Sequence, residues 1–339
     1  MDEITIIIPV YNKRKYLDKC FESIFSQDFG SFEVIAVDDG STDGSGDLCD
    51  HWAAKEPRLH VLHQENGGVT AARRHGYEHS QGRYIMFADA DDAFPPGALS
   101  MMHRTITDSG ADEVVGTYLD QYGNLHDSGL RGFVEPDRLI RDLLALRSHF
   151  CVLWGIIFRR ELLDGCLSAP REIVEREDSL MQIKCLMKQP RVFFTAAPAY
   201  IHAEDIPNTR RETLDWIRIY DDDLRRTLRS TVGGDLQSPS LSPSSGGGDL
   251  PLGRRTLATN GTQESPYHSA FIHHQLKVYE KFIDRRQFHV LNDYYRPLRR
   301  QLTRDIPLMD RIAILLPPRI AYLLIHTYKR LLTSSCTHV

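Results

Sequence analysis

The sequence lacks the features that mark several large classes of protein. Its six cysteines are scattered without C-x-x-C spacing, so nothing indicates a zinc or redox motif, and we expect reduced thiols. The opening "MDEITIIIPV" is acidic where a secretory signal is basic, which predicts a cytoplasmic protein. The most apolar late stretch, "IAILLPPRIAYLLI", is interrupted by Pro-Pro-Arg and is shorter than the roughly 20 residues of a membrane-spanning helix.

The chain also lacks an excess of positive charge. Its formal net charge of -5 argues against nucleic acid as a partner, because binding to a phosphate backbone needs a basic surface. The segment from Tyr294 to the end is different, with eight basic and two acidic residues, a balance of +6. This tail predicts either a peripheral helix on an anionic membrane surface or a helix that closes over the rest of the protein.

Short β-branched runs recur along the first part of the chain, with helical patterns between them. The runs are "ITIII" (4–8), "FEVIAV" (32–37), "LHVL" (59–62), "RYIMF" (83–87) and "DEVVGTYL" (112–119). Apolar runs without in/out alternation suit strands that are covered on both faces. We therefore predict an α/β domain over 1–210, with a mostly parallel sheet flanked by helices.

The helical patterns begin between the first two runs and return after the predicted domain. The first apolar helix face consists of Leu17, Cys20, Phe21 and Ile24. Residues 211–231 predict one amphipathic helix, whose apolar face consists of Leu214, Ile217, Tyr220, Leu224 and Leu228. Residues 232–266 are rich in Ser, Gly and Pro and predict a flexible loop or linker, and 267–339 predict a helical, basic C-terminal region.

Polar clusters directly follow the first four predicted strands, at the strand ends where parallel sheets bind their ligands. The last of these clusters, "ADADD", places Asp89 and Asp91 on one side of an extended segment, with Asp92 at the following turn. A hard cation such as Mn²⁺ or Mg²⁺ binds one or two such carboxylates and completes its shell with substrate phosphates and water. The alternative is a solvated acidic turn.

The cluster after the second strand imitates a calcium-binding loop. From Asp39, "DGSTDGSGDLCD" has oxygen-bearing side chains at alternate positions and Gly44 at the sixth. An EF-hand loop, however, is entered from a helix and ends in a bidentate Glu, whereas this one follows a strand pattern and ends in Asp50. We interpret it as a loop that leaves a strand over a ligand.

Five motifs together indicate a family. "IIIPVYN", "VIAVDDGSTDGS", "NGGVTAARRHG", "GRYIMFADADD" and "REDSLMQI" occur in an order and spacing that resemble family 2 of the inverting glycosyltransferases, whose catalytic domain has the GT-A fold. The resemblance covers roughly 3–205. Each motif alone is weak, and it is their order that makes the resemblance specific.

The resemblance implies contacts with a nucleotide donor. Pro9, Tyr11 and Asn12 correspond to the first nucleotide contacts, Asp39 to the residue that binds the uracil ring, and Arg73 to a contact with the diphosphate or the base. The residue after Arg73 is an arginine, where the family usually has asparagine.

The resemblance also implies a metal site. Asp89 and Asp91 correspond to the D-x-D motif that touches the ribose and the metal, with Asp92 alongside. His202 in "AYIHAED" corresponds to a position from which some relatives approach the diphosphate or the metal, although a packed histidine is the more common situation. Trp154 resembles the aromatic residue that flanks the acceptor pocket, and its alternative is a core tryptophan.

Transfer of a sugar needs a carboxylate that takes the proton of the attacking hydroxyl. "VEREDSLMQI" supplies Glu177 and Asp178, which resemble the family's E-D motif, with Asp178 as the base and Glu177 as the second candidate. Acidic residues also favour the first turn of a helix, so these two also fit a helix start.

The resemblance thus implies a metal-dependent inverting glycosyltransferase that uses a UDP-sugar donor and a glycan or lipid-linked glycan acceptor of the cell surface. A nucleotidyltransferase is a rival, but "PVYNKRK" is not a Gly-rich phosphate loop. A second rival is a scaffold that binds nucleotide-sugar or calcium and has lost turnover. The presence of every acid that the mechanism requires argues against that scaffold.

Overall fold

The computed structural model describes most of the first 229 residues and a few positions beyond them. The described residues are 3–146, 152–173, 175–203, 216–229, 266–267, 270–271, 274–275, 277–278, 316, 319–320 and 322. All of the predicted loop 232–266 except its last residue, and most of the predicted region 267–339, lie outside them. The division of the chain into domains therefore stays a prediction.

Strands and helices alternate through the first half of the described chain. The strands are β1 (Ile4–Val10), β2 (Phe32–Asp38), β3 (Leu59–His63), β4 (Tyr84–Phe87), β5 (Glu113–Asp120), β6 (Leu125–His126), β7 (Gly132–Val134), β8 (Ile156–Arg159) and β9 (Val192–His202). The helices are α1 (Arg14–Phe25), α2 (Ser45–Ala53), α3 (Val69–His79), α4 (Ala98–Ser109), α5 (Pro136–Leu144), α6 (Glu177–Leu186) and α7 (Trp216–Arg229), with a short 3₁₀ turn at Arg160–Leu163.

These strands form one mixed sheet in the order β3-β2-β1-β4-β8-β5-β9-β7, with β6 beside β5. Strands β1 to β4 pair in parallel, as do β5 and β9. The prediction of a mostly parallel sheet flanked by helices is confirmed. The sequence patterns did not predict β8, which runs antiparallel between β4 and β5.

The core lies on both faces of the sheet. Along β1, Ile6 and Ile8 pack into one apolar cluster and Ile7 into another, which explains why the strand carries no in/out alternation. Helix α1 covers one of these faces. Its residues Leu17, Cys20, Phe21 and Ile24 are fully buried, as their helical spacing predicted.

Helix α7 lies within the predicted helix 211–231. Its residues Ile217, Tyr220, Leu224 and Leu228 are buried and pack into the same cluster as Ile7, whereas Leu214 lies outside the described residues. Within the part of the chain that the structure describes, no helix is long and apolar enough to cross a membrane.

Candidate active site

The loops after β1 and β2 are joined at the carboxyl edge of the parallel strands. Asn12 has a φ of 53°, and its Oδ1 accepts a hydrogen bond of 2.8 Å from the Thr42 backbone N–H. The Asn12 backbone N–H in turn donates to Ser41 Oγ at 3.1 Å. Of the other predicted nucleotide contacts on this loop, Tyr11 is 39% exposed and Pro9 is partly buried in β1.

Asp39 ties the end of β2 to the turn that precedes α3. Its Oδ1 accepts hydrogen bonds of 2.7 Å from Gln64 Nε2 and from the Gly67 backbone N–H, and its Oδ2 accepts one of 2.8 Å from the Gly68 N–H. Asp39 is almost completely buried. The carboxylate that the sequence assigns to the uracil ring thus also holds the shape of the "NGG" turn.

Arg73 of α3 connects two predicted functional acids. Its side chain is 1% exposed, with Nη1 paired to Asp178 Oδ1 and Nη2 donating to Asp89 Oδ1 at 3.1 Å. Burial lowers the pKa of Arg73, but the charges of Asp178 and Asp89 outweigh burial and the net shift is upward. Arg73 therefore brings the candidate base and the first acid of the D-x-D motif to one guanidinium group.

The acids after β4 all contact basic side chains of the protein. Asp91 forms an ion pair with Lys13, and the buried Asp92 lies 3.2 Å from His202 Nδ1 and accepts a 2.8 Å hydrogen bond from the Ala203 backbone N–H. Burial is the largest single influence on the pKa of His202 and lowers it, but the hydrogen bond to Asp92 and the negative charges of Asp92, Asp89 and Asp91 together outweigh burial, so the net shift is upward. Two predicted metal ligands, Asp92 and His202, thus contact each other.

The donor set still suits a divalent cation that arrives with a nucleotide. Among the residues that the structure describes, no three histidine, cysteine or acidic side chains are arranged to hold a metal ion by themselves. Mg²⁺ and similar hard cations bind with one or two carboxylates when phosphates supply the remaining oxygens. Asp91 fits this role, because its carboxylate is partly exposed and only Oδ2 is engaged by Lys13.

The E-D pair begins α6, so the helix-start interpretation and the site interpretation apply together. Arg176, immediately before it, has a φ of 68°. Glu177 is buried, whereas the Asp178 side chain keeps 16% exposure and reaches Arg73. Of the two candidates for the base, Asp178 is the one that shares Arg73 with Asp89.

Trp154 lies in an aromatic stack behind the acids. Its ring centroid is 4.9 Å from those of both Tyr200 and His202, at interplanar angles of 12° and 18°, and Tyr118 meets it edge-on. Trp154 is 8% exposed, so its surroundings are those of a core tryptophan. Its role toward an acceptor stays a prediction.

Sequence reasoning missed two residues of this arrangement. Lys13, directly after "PVYN", is the counter-ion of Asp91, and Tyr200 Oη accepts a 2.8 Å hydrogen bond from the Asp89 backbone N–H. Tyr200 is two residues before His202 on β9, and this alternation is the signal that would have placed both side chains on one face.

Comparisons with known proteins show what this chain is similar to. The family Glycosyl transferase family 2 matches residues 5–167. Glycosyltransferase GlyG of Streptococcus pneumoniae is 40% identical over 116 residues, which are 34% of this chain and 38% of that protein. The minor teichoic acid biosynthesis protein GgaA of Bacillus subtilis is 28% identical over 207 residues, 58% of this chain and 46% of that protein.

Among solved structures, S. aureus TarS 1-349 in complex with UDP-GlcNAc has the same fold. The TM-score is 0.58 at 23% identity, over 69% of this chain and 68% of that one. The chain spans less than half the length of GlyG and GgaA.

Proposed function

We propose that the chain is a glycosyltransferase of family 2, whose model matches residues 5–167, and that it transfers a sugar from a UDP-sugar to a hydroxyl of a cell-surface glycan. The observation that carries this proposal is the placement of Arg73, which holds Asp178 and Asp89 together at the carboxyl edge of the parallel strands. The UDP-GlcNAc complex of TarS, a protein of the same fold, supports a uridine donor. The teichoic acid assignment of GgaA supports a surface glycan as the acceptor class.

The proposed reaction inverts the anomeric carbon. The acceptor oxygen forms a bond to that carbon as the bond to the diphosphate oxygen breaks, and UDP leaves with the electron pair. Asp178 takes the proton of the acceptor hydroxyl. The side chain of Asp178 is partly exposed, which supports access of an acceptor from solvent. A divalent cation on Asp91, completed by donor phosphates, would offset the charge that develops on the leaving diphosphate.

We place the acceptor on a glycan or a lipid-linked glycan, with the enzyme in the cytoplasm at the inner face of the membrane. The basic balance of +6 after Tyr294 supports this placement, because anionic lipids attract polybasic segments. Vesicle sedimentation with and without anionic lipid tests this point separately from catalysis.

Calorimetric titration with UDP, in Mn²⁺ and in chelator, tests the donor site, and UDP release from a panel of UDP-sugars tests turnover. We expect Asp178→Asn to bind UDP as the wild type does and to release UDP about 10²- to 10⁴-fold more slowly, the usual contribution of a general base. Glu177→Gln is the matched control.

Two outcomes contradict this proposal. Wild-type turnover by Asp178→Asn would remove Asp178 from the role of the base. Failure of the wild type to bind UDP in either condition would overturn the donor assignment and favour a degenerate scaffold.

A further inference from the structure

Lys13 is anchored by its backbone and reaches into the acidic cluster with its side chain. Its N–H donates a 2.9 Å hydrogen bond to Ser45 Oγ, which fixes the residue before α1 against the first residue of α2. Its ammonium pairs with Asp91, which is 78 residues away in sequence. The two side chains keep 24% and 15% exposure, so this ion pair is partly shielded from water.

Lys13 differs from the two basic residues that follow it. Arg14 is exposed and donates a 2.8 Å hydrogen bond to the Gly44 carbonyl oxygen. Lys15 is exposed, and its ammonium lies 4.6 Å from the centroid of the Tyr16 ring. Of these three consecutive cations, Lys13 alone contacts an acid of the D-x-D motif.

The counter-ions of the three acids differ in how easily they can leave. Arg73 is buried and is bound to two carboxylates, and His202 is held in β9 and stacked on Trp154. Lys13 carries a compact, hydrated charge on a flexible stem, which can change partners at low cost. Asp91 is therefore the acid whose counter-ion can be exchanged.

A donor supplies a second partner for each member of this ion pair. A divalent cation attracts a carboxylate more strongly than an ammonium does, because the Coulomb energy scales with charge. The phosphate oxygens of the donor accept charge-assisted hydrogen bonds from an ammonium. Entry of both together leaves no charge of the original pair without a partner.

We infer that Lys13 is an exchangeable counter-ion: it pairs with Asp91 before the donor binds, yields that carboxylate to the divalent cation, and then binds the donor diphosphate. This inference rests on the proposed function, because it requires a nucleotide diphosphate. Its consequence is an order of binding. The metal ion binds weakly until the nucleotide gives Lys13 another partner.

Calorimetric titrations with Mn²⁺ alone, and with UDP in saturating Mn²⁺, test this inference. Methionine keeps the length of the lysine stem without its charge. We expect Lys13→Met to bind Mn²⁺ alone about tenfold more tightly and UDP about tenfold more weakly, since each change involves one partly shielded ion pair. Lys15→Met is the matched control and should change neither affinity.

A double-mutant cycle assigns the effect to Asp91. In an Asp91→Asn background, Lys13→Met should no longer tighten Mn²⁺ binding. Thermal melting of each variant verifies folding, and Lys13→Gln repeats the measurement with a polar neutral side chain.

The outcomes separate this inference from the proposed function. If the wild type binds UDP with Mn²⁺ but Lys13→Met behaves as Lys15→Met does, the exchange is overturned and the donor site stands. If Lys13→Met weakens Mn²⁺ and UDP binding together, the exchange is also overturned, because Lys13 then supports metal binding. If the wild type binds no UDP, the proposed donor is wrong, and the inference about Lys13 is overturned with it.

Discussion

Arg73 and Arg74 are adjacent in sequence and have opposite environments. The Arg74 side chain is 53% exposed and lies 3.9 Å from Glu78, whereas the Arg73 side chain is 1% exposed between Asp178 and Asp89. Consecutive residues of a helix point in directions that differ by about 100°, so only one of the two can face the sheet edge. The unusual arginine that follows Arg73 therefore lies away from the predicted contacts.

We expect Arg73→Met to lower the free energy of unfolding by roughly 3 kcal/mol, because two carboxylates lose their common partner. Both carboxylates keep partial exposure, which limits the cost to the lower end of the range for a broken buried pair. Urea unfolding measures the loss, and Arg74→Met should stay within about 0.5 kcal/mol of the wild type. Equal effects of the two variants would show that the buried ion pairs add nothing to stability.

For single residues, the sequence predicts which acids follow the strands. It does not predict which side chains those acids contact, because the contacts depend on tertiary structure. The spacing of Asp89 and Asp91 is local, so it is visible in the motif. The partners of Asp89, Asp91 and Asp92 come from α3, from the residue before α1 and from β9. A lysine beside a helix start is ordinarily solvated. Nothing local to Lys13 indicates that its ammonium meets an acid 78 residues away.

Among the elements, the first five strands and α1 were predictable, because the strands are short apolar runs and the apolar residues of α1 have helical spacing. The order of the strands in the sheet was harder to predict from the sequence. Strand β8 is four residues long, and its place between β4 and β5 depends on antiparallel pairings that its apolar run does not encode. Short edge pairs such as β6 and β7 depend in the same way on neighbours that are distant in sequence.

The contact between α3 and β1 requires a glycine. A Cβ at Gly76 would lie 2.5 Å from Ile7 Cγ2 and 3.3 Å from Val37 Cγ2, so the helix would have to move away from the sheet. We expect Gly76→Ala to destabilise the protein by about 1–3 kcal/mol, since overpacking outweighs the gain of about 1 kcal/mol in helix propensity. Arg73 lies on the same helix, so UDP binding should weaken as well.

The matched control for this substitution is Gly30→Ala. A Cβ at Gly30 meets no atom of the described residues within 4 Å, and the alanine should be neutral or stabilise by up to about 1 kcal/mol. Thermal unfolding of both variants measures the difference. A Gly76→Ala protein as stable as Gly30→Ala would mean that α3 can shift without cost.

On the scale of the whole molecule, the candidate site combines residues inside and outside the segment that the family model matches. The match covers residues 5–167 and includes the D-x-D acids, whereas Asp178 lies on α6, beyond it. Helix α6 is joined to the sheet by a fully buried contact, in which Gln182 Nε2 donates to Glu113 Oε1 of β5. The position of the candidate base therefore depends on a polar contact inside the core.

This contact predicts how stability changes with pH. Burial raises the pKa of Glu113 from its ordinary value of 4.5 to about 8, although the hydrogen bond from Gln182 acts in the other direction. Glu113 Oε2 and Gln182 Oε1 are both buried without a hydrogen-bond partner among the described residues. A proton on Oε2 gives Glu113 a donor for Gln182 Oε1, so the neutral acid suits this place better than the carboxylate.

Because the folded pKa lies above the unfolded one, the folded state binds more protons between pH 4.5 and about 8. The contribution of Glu113 to stability is fully present below pH 4.5 and is lost as the pH rises through about 8, by an amount on the order of a few kcal/mol. Glu113→Gln carries a permanent N–H donor in place of the proton and should remove this loss. Urea unfolding across the pH range measures this loss, with Glu33→Gln as a control on the same sheet. Parallel curves for the wild type and Glu113→Gln would mean that folding leaves the pKa of Glu113 unchanged, which would contradict this prediction.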